Sequence, residues 1–176
     1  MTPRRLAVKE LIHQEQVGYA NLVLDADGIN ALAGHMDEWE RRRGRVTVLT
    51  PHEGEFLRVG GNLSQGRTAA ATEFAHRSGA VVVLKGPGTV VAGPDGRCRV
   101  NTTGNCGMAK GGSGDVLSGV VLALLGLGMD AFDACCCAVW LHGRAGDLAA
   151  QEKGQWGMTP TDLLERLPQA LREVTE

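Results

Sequence analysis

The residues best suited to chemistry lie in one run, Asn105-Cys106-Gly107-Met108-Ala109-Lys110-Gly111-Gly112-Ser113-Gly114-Asp115. Four glycines, a lysine and a carboxylate stand directly before the apolar segment Val116 to Leu127. Glycine reaches left-handed backbone conformations and lets a ligand approach the main chain closely. Read as a buried helix, the apolar segment turns orphan N–H groups and its positive dipole end toward Gly112–Gly114. That is an anion site, and phosphate is its usual occupant. Asp115 repels a phosphate unless a metal ion intervenes or the carboxylate works as a base. An N-cap is the simpler role for an aspartate, but it leaves four glycines in the same turn unexplained.

Three further polar clusters each follow a short apolar run. Asn21–Leu24 leads into Asp25-Ala26-Asp27-Gly28, where the carboxylates either coordinate a metal or only cap a turn. Val46–Leu49 leads into Thr50-Pro51-His52-Glu53-Gly54-Glu55. There His52 is either a ligand-binding or a capping residue, and the glutamates suit a first helical turn. Val81–Leu84 leads into Lys85-Gly86-Pro87-Gly88-Thr89, a lysine with flexible backbone or simply a tight turn.

These apolar runs read as buried strands. Helices are expected at Arg5–Gln16, from near Glu53, at Thr68–Ser78 closed by Gly79, at Ala131 to about Gln151, and at Thr161–Val174. Thr89–Ala92 and Arg97–Val100 flank Gly93-Pro94-Asp95-Gly96, a hairpin signal. Gly126-x-Gly128-x-x-Ala131 follows a helix rather than a strand, so it reads as an inter-helix turn. Alternating strands and helices predict a mostly parallel α/β sheet. Ligands of such sheets bind at the carboxyl ends of the strands, so the four clusters are expected on one rim.

The signature Thr103-Gly104-Asn105, Gly107-Met108-Ala109 and Gly111-Gly112-Ser113-Gly114-Asp115 resembles that of the ADP-dependent NAD(P)H-hydrate dehydratase family. This family lies within the ribokinase-like superfamily. Thr50-Pro51-His52-Glu53-Gly54-Glu55 is similar to the family's Thr-Pro-His-x-Gly-Glu motif, with Glu53 where the family often has Pro. The resemblance implies a three-layer α/β/α domain spanning residues 1–176. It implies ADP-dependent dehydration of (6S)-NADHX or NADPHX, with AMP and phosphate released. Asp115 is then the catalytic base and, with His52, binds substrate. Lys85, Gly86, Pro87, Gly88 and Thr89 would bind the nucleotide, as would Asn105, Gly112, Ser113 and Gly114. Asp25 and Asp27 would hold Mg²⁺ through water. His142 and Asp147 would be structural.

The family domain is longer and opens with a Gly-rich segment and further strands. The expectation is therefore a domain lacking its N-terminal part, weakly active alone and dependent on self-association. The family is tetrameric, and an NAD(P)HX epimerase is a further candidate partner. A ribokinase-like kinase of a hydroxymethylpyrimidine or sugar, or an inactive nucleotide-binding fragment, are the alternatives.

Composition excludes other classes. The 176 residues suit one domain, and the formal charge of −2 offers no nucleic-acid surface. Arg41, Arg42, Arg43 and Arg45 are balanced by Glu38 and Glu40. No apolar run is long enough for a bilayer. Cys98, Cys106 and Cys135–Cys137 form no C-x-x-C and read as buried free thiols, which implies a reducing compartment, the cytoplasm. Trp140 and Trp156 read as packing residues, and His13, His35 and His76 as exposed.

Overall fold

A computed structural model describes residues 20–35 and 42–176. The expected Arg5–Gln16 helix, His13, and Glu38, Glu40 and Arg41 lie outside the described residues.

Five strands form one mixed sheet in the order β1 (Leu22–Leu24), β2 (Thr47–Leu49), β3 (Val81–Leu84), β4 (Val90–Ala92) and β5 (Cys98–Val100). β1, β2 and β3 are parallel, and the expected hairpin adds β4 and β5 antiparallel. Gly96 closes the hairpin turn at φ +89°, with its N–H donating to Gly93 O. Position alternates burial between two layers. Val82 and Leu84 face one side, while Val81 and Val83 face the other, and all four are buried. Such continuous apolar runs belong to strands covered on both faces, and each buried side chain contributes about 1.5–3 kcal/mol.

On the first face lie α1 (Ala26–Ala31), α2 (Glu53–Arg58) and α3 (Arg67–Ser78), with Ile29, Phe56 and Phe74 at its centre. On the second lie α4 (Ser113–Gly126) and α5 (Ala131–Gly157), which pack Leu117, Val121, Phe132 and Val139 on the sheet. α6 (Pro160–Thr175) packs on α5 through Leu163 and Ala170. The three-layer α/β/α expectation holds.

Several local expectations are corrected. Asp25–Gly28 is not a free turn, because Asp25 caps α1 by accepting from the Ala26 N–H. α4 begins at Ser113 rather than Val116, since Gly112 at φ +97° supplies the left-handed residue that precedes it. Nor is α4 fully buried. Only the stripe Ser113, Leu117, Val121 and Leu125 is, while Leu122 is 52% and Leu127 79% exposed. α5 outruns Gln151, with Gly154 interrupting its last turns at φ +72°. Trp156 is 98% exposed and so does not pack, whereas Trp140 does. Cys106 is exposed and Cys135 buried, and all five cysteines are free thiols. Burial pushes the Cys135 thiol up to about 12 and Cys136 up to about 11, so neither supplies a thiolate near neutrality. Among the described residues no helix is long and apolar enough to cross a membrane.

Candidate active site

Strand-end loops and the start of α4 meet at the carboxyl edge of β1–β3. The Lys85 N–H donates to Pro51 O at 2.8 Å, and the Thr50 N–H donates to Leu24 O at 3.1 Å. These bonds stitch the three strand ends together. His52 and Lys85 continue the parallel register beyond β2 and β3.

The Lys85 ammonium stands at the centre. Its Nζ donates to Asp25 Oδ1 at 2.7 Å and lies 4.0 Å from Glu55 Oε2. Ser118 of α4 donates to Asp25 Oδ2 at 3.1 Å. Burial works to raise the Asp25 pKa. The Lys85 hydrogen bond and charge, the Thr50 hydroxyl and the Ala26 N–H together outweigh it, so the carboxyl lies below its usual range.

Gly114 faces this pair. A Cβ there would lie 3.4 Å from both Asp25 Oδ2 and Lys85 Nζ. Ser113, Gly114 and Asp115 are the first three residues of α4, so their N–H groups have no acceptor within the helix. Asp115 is exposed and has no hydrogen bond or ion pair among the described residues. The turn is held from behind. His142 of α5, buried, donates Nε2–H to Ser113 O at 2.8 Å. Burial lowers its pKa, and the nearby Lys85 charge adds to this, against the opposing Ser113 bond. The imidazole is therefore neutral, with its proton on Nε2.

His52 caps α2. Its Nδ1 accepts from the Gly54 and Glu55 N–H groups at 3.0 and 3.2 Å, which places the ring proton on Nε2, 3.3 Å from Glu55 Oε1. Glu55 returns the bond by accepting from the His52 N–H at 2.8 Å. The ring is still about half exposed, so capping leaves a face open to a ligand.

Asn105 is held apart from this cluster. Its Oδ1 accepts from the Gly107 N–H and its Nδ2 donates to Asp147, which also accepts from the Gly104 N–H. The structural expectation for His142 and Asp147 fits these bonds. Asp27 is exposed at the first turn of α1.

Sequence reasoning missed three residues. Ser118 lies one helical turn past Asp115, a spacing that puts both on the same side of α4. Glu55 is buried at the rim. Arg67 donates to Leu84 O, Pro87 O and Gly88 O, so it holds the Lys85–Thr89 loop. The helix-start position of Arg67 carried no such signal. A cavity of about 340 Å³, lined by Arg43, Arg45 and His76, opens at the opposite ends of the strands and includes none of these residues.

The family model described as NAD(P)H-hydrate dehydratase matches residues 2–169. The chain belongs to that family. It is 47% identical over 159 residues to the "Bifunctional NAD(P)H-hydrate repair enzyme Nnr" of Thermofilum pendens, covering 88% of this chain and 30% of that protein. The structure is similar to the ADP/ATP-dependent NAD(P)H-hydrate dehydratase of Bacillus subtilis co-crystallised with ATP/Mg²⁺. That match has a TM-score of 0.81 and 34% identity, covering 98% of this chain and 61% of that one. It is also similar to a ribokinase-like superfamily protein of Enterococcus faecalis, with a TM-score of 0.77 and 26% identity, covering 96% and 58%. The dehydratase-family chain thus spans less than two thirds of the length of each of these relatives.

Proposed function

We propose that this chain provides the nucleotide loop and the catalytic base for ADP-dependent dehydration of (6S)-NADHX or NADPHX. The observation that carries the reading is an uncommitted carboxylate, Asp115, one residue from a glycine that faces Lys85 and Asp25.

The nucleotide phosphates would lie between Lys85–Thr89 and the free amides of Gly112, Ser113 and Gly114. Asp115 would take the proton of the ring hydroxyl. The freed oxygen attacks the terminal phosphorus of ADP and AMP departs. The α4 amides stabilise charge on the transferring group. Asp115 returns its proton to solvent. The ring then loses a proton from the adjacent carbon and the C–O bond breaks, releasing phosphate and restoring the reduced ring. His52, with Nε2–H on its open side, would contact the hydrated nucleotide.

Asn105 was expected at the nucleotide. Its bonds support a role in shaping the loop that leads there. Mg²⁺ fits the donor set in the form it takes beside phosphates, with few carboxylates and several waters. Asp25 and Asp27 are the residues that would hold it through water, and it would offset phosphate charge. The exposed Leu122 and Leu127 of α4 support self-association. The bifunctional name of the Thermofilum relative supports a second repair activity, an NAD(P)HX epimerase, as a partner. The free thiols support a reducing compartment such as the cytoplasm.

The test incubates the chain with NADHX, ADP and Mg²⁺. NADH fluorescence should appear with equimolar AMP and phosphate. ATP-dependent phosphorylation of a small alcohol without dehydration would replace this reading with a kinase. Nucleotide binding without turnover of either kind would leave only a binding fragment.

A further inference from the structure

The Lys85–Thr89 loop is wrapped around a side chain that belongs to another element. Arg67 opens α3, and its guanidinium reaches across to the loop. One terminal nitrogen donates to Pro87 O and, at 3.0 Å, to Gly88 O; the other donates to Leu84 O at 2.9 Å. Gly86 leaves room for this. A Cβ there would stand 2.7 Å from the guanidinium, and its φ is +146°.

Gathering these carbonyls has a geometric consequence. A trans peptide points its C=O and the following N–H in opposite directions. Holding Pro87 O and Gly88 O toward Arg67 therefore turns the N–H groups of Gly88 and Thr89 away from it. Neither of these N–H groups has an acceptor among the described residues. Successive outward amides of this kind form an anion-binding concavity.

The third nitrogen of the fork meets Glu53. Arg67 Nε lies 3.2 Å from Glu53 Oε1, but its N–H is not aimed well enough for a hydrogen bond, so the contact is ionic. Glu53 immediately follows His52 and occupies the variable position of that turn. A proline there could form no such pair.

Resting on the nucleotide reading of Lys85–Thr89, we propose that Arg67 is the positioning residue of the nucleotide loop and that Glu53 ties it to the His52 turn. Arg67 touches no substrate. It fixes which way the loop amides point, and Glu53 links that setting to the neighbouring strand end. A planar fork can hold several carbonyls at fixed angles, and a lysine cannot.

Arg67→Lys and Arg67→Ala are titrated calorimetrically with ADP beside the native chain, well below each melting temperature. In parallel, the ligand-free amide signals of Gly86–Thr89 are followed by NMR. Losing charge-assisted bonds of about 1.5–3 kcal/mol corresponds to about 10–100-fold weaker ADP binding. The loop amides should shift while those of β3 stay in place. A merely structural arginine would lower the melting temperature without moving the affinity of the folded protein.

Unchanged loop signals in Arg67→Lys overturn the proposal, as does ADP affinity within twofold of native in both variants. If Arg67→Ala fails to fold, Arg67→Lys decides alone. If the native chain binds no ADP, the nucleotide reading falls, and the loop signals still decide the role of Arg67. Glu53→Gln should weaken ADP binding by at most about fivefold, and this effect should vanish in an Arg67→Lys background. Full additivity would remove Glu53 from the proposal.

Discussion

Asp25 and Asp115 sit at the same end of α4 in opposite circumstances. Asp25 is half-buried, with both oxygens engaged by Lys85 and Ser118, and its carboxyl is held below the usual range. Asp115 is exposed and has no partner among the described residues. One carboxylate compensates a lysine and shapes the rim, while the other is left with its lone pairs available. A group committed to a strong ion pair is a poor proton acceptor, and an uncommitted one can serve as a base. The glycine between Gly112 and Asp115 separates the two roles by a single residue, and the backs of both are fixed by α5 and β3.

The sharpest way to break this contrast is Asp115→Asn, assayed for turnover of NADHX with ADP and Mg²⁺. Removing the base should cost about 10²–10⁴-fold in rate. The melting temperature should change little, because no partner is lost. Near-normal turnover would move the base elsewhere.

Asp25→Asn should behave in the opposite sense and lower stability by about 1–3 kcal/mol by stripping Lys85 of its counter-charge. Its pH dependence carries a sign. The folded pKa lies below the unfolded 3.8, so the unfolded state binds the proton first. The stabilisation is complete above 3.8 and is lost as pH falls through the folded value. Thermal melts below pH 4 should show this decline in the native chain and not in Asp25→Asn. Matching profiles would mean that the Asp25–Lys85 pair contributes nothing to folding.

A smaller effect distinguishes two adjacent glycines. Gly112→Ala places a Cβ at φ +97° and 3.1 Å from the Pro160 ring, and should cost about 1–2 kcal/mol. Gly111→Ala meets nothing within 4 Å and should stay within about 0.5 kcal/mol of native. Equal denaturation midpoints would show that the α4 start tolerates rearrangement.

The smallest effect concerns the support behind Asp115. Burial lowers the His142 pKa from 6.5, so below that value the unfolded chain takes up a proton that the folded chain refuses. Stability should fall as pH drops from 6.5, by about 1.4 kcal/mol per unit until the folded pKa is reached. His142→Asn should flatten that part of the profile. An unaltered slope would assign the acid sensitivity to another group.

Much of this site is legible in the sequence because parallel α/β sheets place strand ends together. Asp25, His52 and Lys85 each follow a short apolar run, and topology brings them to one edge. The glycine run before α4 is legible for the same reason. Ser118 and Arg67 are not, because their partners are distant in sequence and their residue types carry no signal there. The Ser118–Asp25 bond spans 93 residues. Asn105 carries the opposite lesson. It lies inside the signature, yet Gly107 and Asp147 take up its amide. The exposed side of α4 was missed because a continuous apolar run looks buried all round, whereas packing covers only every fourth residue.

Strand order in the sheet equals strand order in the chain, and this bears on how the molecule acquires its shape. β3, β4 and β5 are joined by short connections, so their pairing closes small loops. β1 reaches β2, and β2 reaches β3, only across much longer segments. Loop-closure entropy grows with segment length, and non-local pairings form late. Assembly should therefore start at the hairpin edge and travel toward β1. The Asp25–Lys85 contact, 60 residues apart in sequence, and the Ser118–Asp25 contact are among the last to form. Competence to bind a nucleotide would then be a late event in folding, reached only after the remainder of the sheet stands.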